Sequence, residues 1–79
     1  MVEGNKNSIL GWLNVVSGSE NEITGSESTV IGSQNKVLGD KNMAAGNNNS
    51  IRGTENIVEG DRNKAKGSQN TVAGSDNVV

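Results

Sequence analysis

The chain has 79 residues and a formal net charge of −2, from seven basic and nine acidic side chains. It lacks Cys, His, Pro, Phe and Tyr, and Trp12 is its single aromatic, which excludes disulfides, thiolate or imidazole metal sites and a His- or Cys-based nucleophile. The charges are scattered along the sequence, so no basic patch is expected, and neither nucleic acid nor a membrane surface is an expected partner.

Gly4 is the first of eleven glycines, and each of the others follows at seven residues, ending at Gly74. The unit is Gly-x-x-Asn-x-[Val/Ile/Ala]-x, as in GSQNKVL, GTENIVE and GSQNTVA, and the whole chain is one array of it. A fixed short period without interruption marks a chain that stacks one small unit along an axis. A heptad helix is the first alternative, and it fails. Glycine costs a helix about 1 kcal/mol at each occurrence, and a coiled-coil seam needs two apolar positions per heptad where this chain keeps only the sixth.

A strand and a corner fit each repeat better. Positions four and six lie two apart and so share one side of a strand. In chain order the sixth position reads Ile9, Val16, Ile23, Val30, Val37, Ala44, Ile51, Val58, Ala65, Val72 and Val79, apolar throughout. Ile9, Val16, Ile23, Val30, Val37, Ile51, Val58 and Val72 are therefore expected to form an inward core. Positions five and seven accept charge (Glu22, Lys36, Lys64, Arg52, Glu59, Lys66) and are expected to face outward. Glycine, followed by a small polar residue, supplies the turn.

The first full repeats differ from the rest. Ile9, Leu10, Trp12, Leu13, Val15 and Val16 crowd together, with Trp12 and Leu13 at a corner that is polar elsewhere. These two residues are expected to cover the end of the stack or to pack chains together there; the sharper alternative is a docking site. Position four is Asn in ten of the eleven repeats, with Ser28 the exception. Asn21, Asn35, Asn42, Asn49, Asn56, Asn63 and Asn70 are expected to point inward and form an amide ladder. An asparagine in left-handed conformation at the corner is the alternative.

Alternate repeats differ at position five. One set reads Val15, Thr29, Met43, Ile57 and Thr71; the other reads Ser8, Glu22, Lys36, Ser50 and Lys64. The expected fold is thus an all-β solenoid with fourteen residues and two strands per coil, spanning about 26 Å at about 4.8 Å per coil. A triangular coil of 21 residues would make every third repeat alike, and no such pattern occurs. The face of Val15, Thr29, Met43, Ile57 and Thr71 is expected to pack against other copies, giving a homo-oligomer. The array opens at full stride and stops at Val79, which reads as a segment of a longer fibrous protein.

Catalytic chemistry has no candidate residues, and no cofactor or metal is expected. Calcium-binding rolls use a nine-residue Gly/Asp-rich unit that is missing here. Thr24, Thr29, Thr54 and Thr71 occupy different positions and are mixed with charge, which argues against a threonine array for ice. Asn48-Asn49-Ser50 spells a glycosylation sequon, an expected accident in an Asn-rich chain.

The doubled run Gly-x-x-[Ser/Ala/Asn]-x-[Ala/Val]-x resembles the YadA-like head repeats of trimeric autotransporter adhesins, closest at GSESTVI (25–31) and GSQNTVA (67–73). Heads of that family usually carry Ser or Ala where this chain carries Asn. The resemblance implies a left-handed parallel β-roll, a homotrimer and a cell-surface location. It also implies a function, adhesion to matrix proteins or other cells through a repetitive surface. A non-adhesive assembly module of a fibrous scaffold is the alternative.

Overall fold

The computed structural model describes residues 2–79. Eleven strands follow one another among these residues: β1 (Val2–Asn5), β2 (Ser8–Leu10), β3 (Val15–Ser19), β4 (Glu22–Thr24), β5 (Thr29–Ser33), β6 (Lys36–Leu38), β7 (Met43–Asn47), β8 (Ser50–Thr54), β9 (Ile57–Asp61), β10 (Lys64–Ser68) and β11 (Thr71–Ser75). They fall into two parallel sheets. The first runs β1-β3-β5-β7-β9-β11 and the second β2-β4-β6-β8-β10.

Each strand pairs with the strand fourteen residues further on, as Val16 with Val30 in the first sheet and Ile23 with Val37 in the second. The fold is therefore an all-β parallel roll of about five turns with fourteen residues per coil. Its extents are 27 × 19 × 11 Å, the long one matching the stacking distance expected from the repeat count. Strands include the glycine and the residue after it, so several are longer than the repeat alone suggested.

One side chain per strand fills the space between the sheets. Val16, Val30, Ala44, Val58 and Val72 come from the first sheet; Ile23, Val37, Ile51 and Ala65 come from the second. Ile9 is only half-buried, because β2 is the edge strand of its sheet and is covered from one side alone. The core is a single file of side chains, so the hydrogen-bond network beside it carries an unusual share of the specification of this fold.

That network is built by the corners. Every glycine has φ between +112° and +134°, and every residue two positions later has φ between +55° and +60°. The left-handed residue of each corner is thus the third of the repeat, not the asparagine that follows it. Asn14, Asn21, Asn35, Asn42, Asn49, Asn56 and Asn63 are buried, while Asn7, Asn70 and Asn77 in the outer coils are half-buried.

Wherever a further coil follows, the asparagine bonds it mostly through backbone, whereas Asn70 and Asn77 donate to the Lys66 and Ala73 carbonyls. The Asn35 Oδ1 accepts the Asn49 N–H at 3.0 Å, and the Asn35 Nδ2 donates to the Gly46 carbonyl at 2.9 Å. The same pair of bonds recurs at Asn49, with Asn63 N–H and the Gly60 carbonyl. Direct amide-to-amide bonds of 3.2 Å occur at Asn21–Asn7 and Asn35–Asn21. The expected ladder of side chain on side chain is accordingly corrected: an amide is short enough to reach the stacked backbone, and that is where most of its bonds go.

Ser28 stands in this file as a weak link. It is fully buried, and its Oγ has no hydrogen-bond partner. Asparagine there would accept the Asn42 N–H and donate to the Gly39 carbonyl, as its neighbours do one coil away. Ser28→Asn is expected to stabilise the fold by about 1–2 kcal/mol, read as a higher unfolding midpoint in thermal circular dichroism. An unchanged or lower midpoint would show that the corner at this coil has no room for the amide.

Candidate functional site

The corners are alike from coil to coil, so the two broad faces are where the roll acquires individuality. Outward side chains stack in straight columns because the register never slips. On the first sheet the fifth-position column is Val15, Thr29, Met43, Ile57 and Thr71. Beside it runs the seventh-position column Ser17, Ile31, Ala45, Glu59 and Ala73. Of these ten positions from β3 to β11, one carries a charge.

Val15, Ile31, Met43 and Ile57 are exposed on this face, 38% at the least and 55% at the most. Methyl-bearing groups and the hydroxyls of Thr29, Thr71 and Ser17 form a grid. Neighbouring coils are about 4.8 Å apart and same-side residues on a strand about 6.6 Å apart. The backbone dihedrals repeat within a few degrees at every left-handed corner residue, so the grid stays regular along the roll.

The second sheet presents a different surface. Its outward columns are Ser8, Glu22, Lys36, Ser50 and Lys64, and Leu10, Thr24, Leu38, Arg52 and Lys66. Five of these ten are charged, four of them basic. Lys36 and Glu22 approach to 3.8 Å as an exposed ion pair. Stacking at fourteen-residue intervals has gathered cations that the linear sequence spreads over several repeats. The expectation that no basic patch forms is corrected on this face.

The threonines divide among these surfaces. Thr29 and Thr71 lie on the first face, Thr24 on the second, and Thr54 follows Gly53 at a corner. Trp12 and Leu13 are largely exposed among the described residues. They are 70% and 69% exposed, and Leu10 beside them is equally open. Exposure on this scale leaves these corner residues open for packing between chains or for docking, the other roles expected of them. Asn48 of the sequon is exposed at a corner, with φ of 60°.

Glu3 stacks in register with Ser17 at the β1 edge of the first face, and the corners carry the remaining charges. Arg62 grips Asp76 one coil away, Nε to Oδ1 at 2.9 Å and Nη2 to Oδ2 at 3.2 Å. That hydrogen bond, and then the charge of Asp76, raises the Arg62 pKa above its ordinary value. Among the described residues no group of three or more acidic side chains is placed to hold a metal ion, and no helix is long and apolar enough to cross a membrane.

Two comparisons bear on this surface. No curated protein matches the sequence. A family model described as the grass antifreeze beta roll matches residues 1–79. The match covers the whole chain, and it overturns the resemblance to the YadA-like adhesin heads. The near-invariant Asn at position four is where this chain departs from those heads.

Proposed function

The chain belongs to the grass antifreeze β-roll family, and from that premise we propose that it adsorbs to ice through the outward face of the first sheet. The observation that carries this reading is the in-register grid on β3, β5, β7, β9 and β11, with a single charge among ten positions. Charged groups hold tightly oriented hydration shells of their own, which do not merge with a crystal lattice. Methyl groups and hydroxyls at fixed intervals order neighbouring water without competing for it. Weak contacts at each coil then add along a rigid surface.

Scarcity of threonine does not count against ice on this surface. Threonine is one residue that offers a methyl and a hydroxyl together. Val15, Ile31, Met43 and Ile57 supply the apolar part alone, and Thr29, Thr71 and Ser17 supply hydroxyls. The charged second face suits ice poorly by the same criterion.

Partition into a slowly growing ice hemisphere tests the assignment. Met43→Lys and Ile57→Lys, each at the centre of the grid, are expected to lower incorporation at least tenfold, equivalent to about 1.4 kcal/mol. Ser50→Lys, on the opposite face, is expected to leave it unchanged. Equal behaviour of the three variants, with circular dichroism showing intact folds, would sink the assignment.

An assembly through the same apolar face, the homo-oligomer expected from the doubled period, competes with ice for the same residues. Light scattering separates the two. A solution mass of one chain leaves the grid free for ice, whereas a mass of two or three chains that drops on Met43→Lys assigns the face to packing.

A further inference from the structure

The second face carries four basic side chains and one acidic one, a balance of +3 on a chain whose total is −2. The imbalance is sharpest on β8 and β10. Arg52 and Lys66 are direct partners across the ladder, and Lys64 stands two residues from Lys66 on the same strand. Like charges opposite one another in a sheet are destabilising. Among the described residues none of the three forms an ion pair; the two salt bridges lie elsewhere, at Lys36–Glu22 and Arg62–Asp76. Ser50, Arg52, Lys64 and Lys66 also line a shallow hollow between the strands. A fold with many corner carboxylates to spare leaves these cations unneutralised on one plane.

We infer that this face docks on an anionic lipid surface. Three properties match that partner. The face is planar and rigid, so Lys36, Arg52, Lys64 and Lys66 meet a flat array of headgroups together. Each cation near such a surface contributes independently of sequence, and long aliphatic stems let the charged ends reach past the sheet. Leu10 and Leu38, 69% and 42% exposed, lie in the same plane and are placed to sink below the headgroups. A single-stranded nucleic acid would need aromatic stacking platforms, and this face has none. The hollow at Ser50, Arg52, Lys64 and Lys66 is placed to seat one phosphate or carboxylate of a headgroup. The inference is independent of ice adsorption, which uses the other sheet; a molecule using both would stand between a membrane and an ice front.

Co-sedimentation of the folded chain with phosphatidylcholine vesicles containing about one third phosphatidylserine, at low salt, tests it. Binding to these vesicles, absent for pure phosphatidylcholine and lost on adding salt, is the expected result. Lys64→Gln with Lys66→Gln is expected to weaken it about 25-fold, near fivefold per charge. Lys6→Gln with Lys41→Gln removes the same charge from the corners and is expected to weaken it less than about threefold. Failure to bind the anionic vesicles, or equal losses in the two double variants, would overturn the inference. So would tight binding to soluble polygalacturonate without vesicle binding, which would make an acidic polysaccharide the partner. Circular dichroism of each variant, together with unchanged ice partition, separates loss of this face from loss of the fold.

Discussion

Gly46→Ala is expected to abolish folding. A Cβ at Gly46 would sit 1.8 Å from the carbonyl oxygen of Gly60 in the next coil, an atom of backbone held by the ladder. The φ of +121° adds strain for any residue with a side chain. A domain of this size has a stability on the order of 5–10 kcal/mol, and a core clash joined to backbone strain removes about 5 kcal/mol or more. Far-ultraviolet circular dichroism should show a disordered chain at room temperature. Gly74→Ala provides the comparison. Its φ is similarly positive at +113°, but only the Asn77 side chain approaches, at 3.3 Å. Its cost is therefore mainly the backbone strain, about 1–3 kcal/mol, with a small shift of the Asn77 amide. Should both variants unfold alike, strain rather than close stacking of coils would be the reason for glycine at these corners.

Asn49→Ala is the second large effect. The Asn49 side chain is buried, accepts the Asn63 N–H at 3.0 Å, and donates to the carbonyls of Gly60 at 2.9 Å and Ala45 at 3.3 Å. Alanine deserts all three backbone groups, one bond being buried and two part-buried. At about 1–3 kcal/mol for each group left unsatisfied, the expected loss is about 3–5 kcal/mol, measured by chemical denaturation. Asn49→Asp sharpens the test through its pH dependence. A buried carboxylate cannot donate to the Gly60 carbonyl, so burial and the facing oxygen push its pKa up. A folded-state pKa above the unfolded one means stability that is present at low pH and lost as pH rises through the folded value. Relative to the parent, Asn49→Asp should therefore recover on acidification. No difference in pH response would place the amide outside the network.

Much of this architecture was legible in the residues because the repeat is strict. A glycine every seventh residue, an apolar residue every seventh, and alternation at position five together imply two strands per coil and an interior one side chain wide. The corner was harder. The third residue of each repeat takes the left-handed conformation, and Lys6, Glu20, Gln34 and Arg62 give no hint of it individually. The signal lay in an exclusion: none of the eleven is β-branched, although Val, Ile and Thr abound elsewhere. The asparagines were legible as inward but not in their bonding, since a periodic amide suits side-chain and backbone partners equally until the coil geometry is known. The basic face is hidden in the linear sequence because Lys36, Arg52, Lys64 and Lys66 become neighbours only when the fourteen-residue pitch is applied to charge as well as to hydrophobicity. The proposed affinity for ice was obscured for a related reason. The threonines are scattered along the chain, whereas the relevant quantity is what shares a plane with them.

The fourteen-residue coil contains two corners built from the same glycine and asparagine, and this places a parity rule on how such a chain can change length. Removing residues 32–38 would preserve every remaining glycine and asparagine in register, and the backbone would not register the loss. Every strand downstream would nevertheless exchange sheets. Ser50, Arg52, Lys64 and Lys66 would move onto the plane of Val15 and Thr29, and Met43 and Ile57 would leave it. Duplications or losses of whole coils lengthen or shorten both surfaces while keeping their identities, whereas a single heptad splices one surface onto the other. Gene lengths in a lineage of such rolls should therefore step by an even number of heptads wherever both surfaces are used.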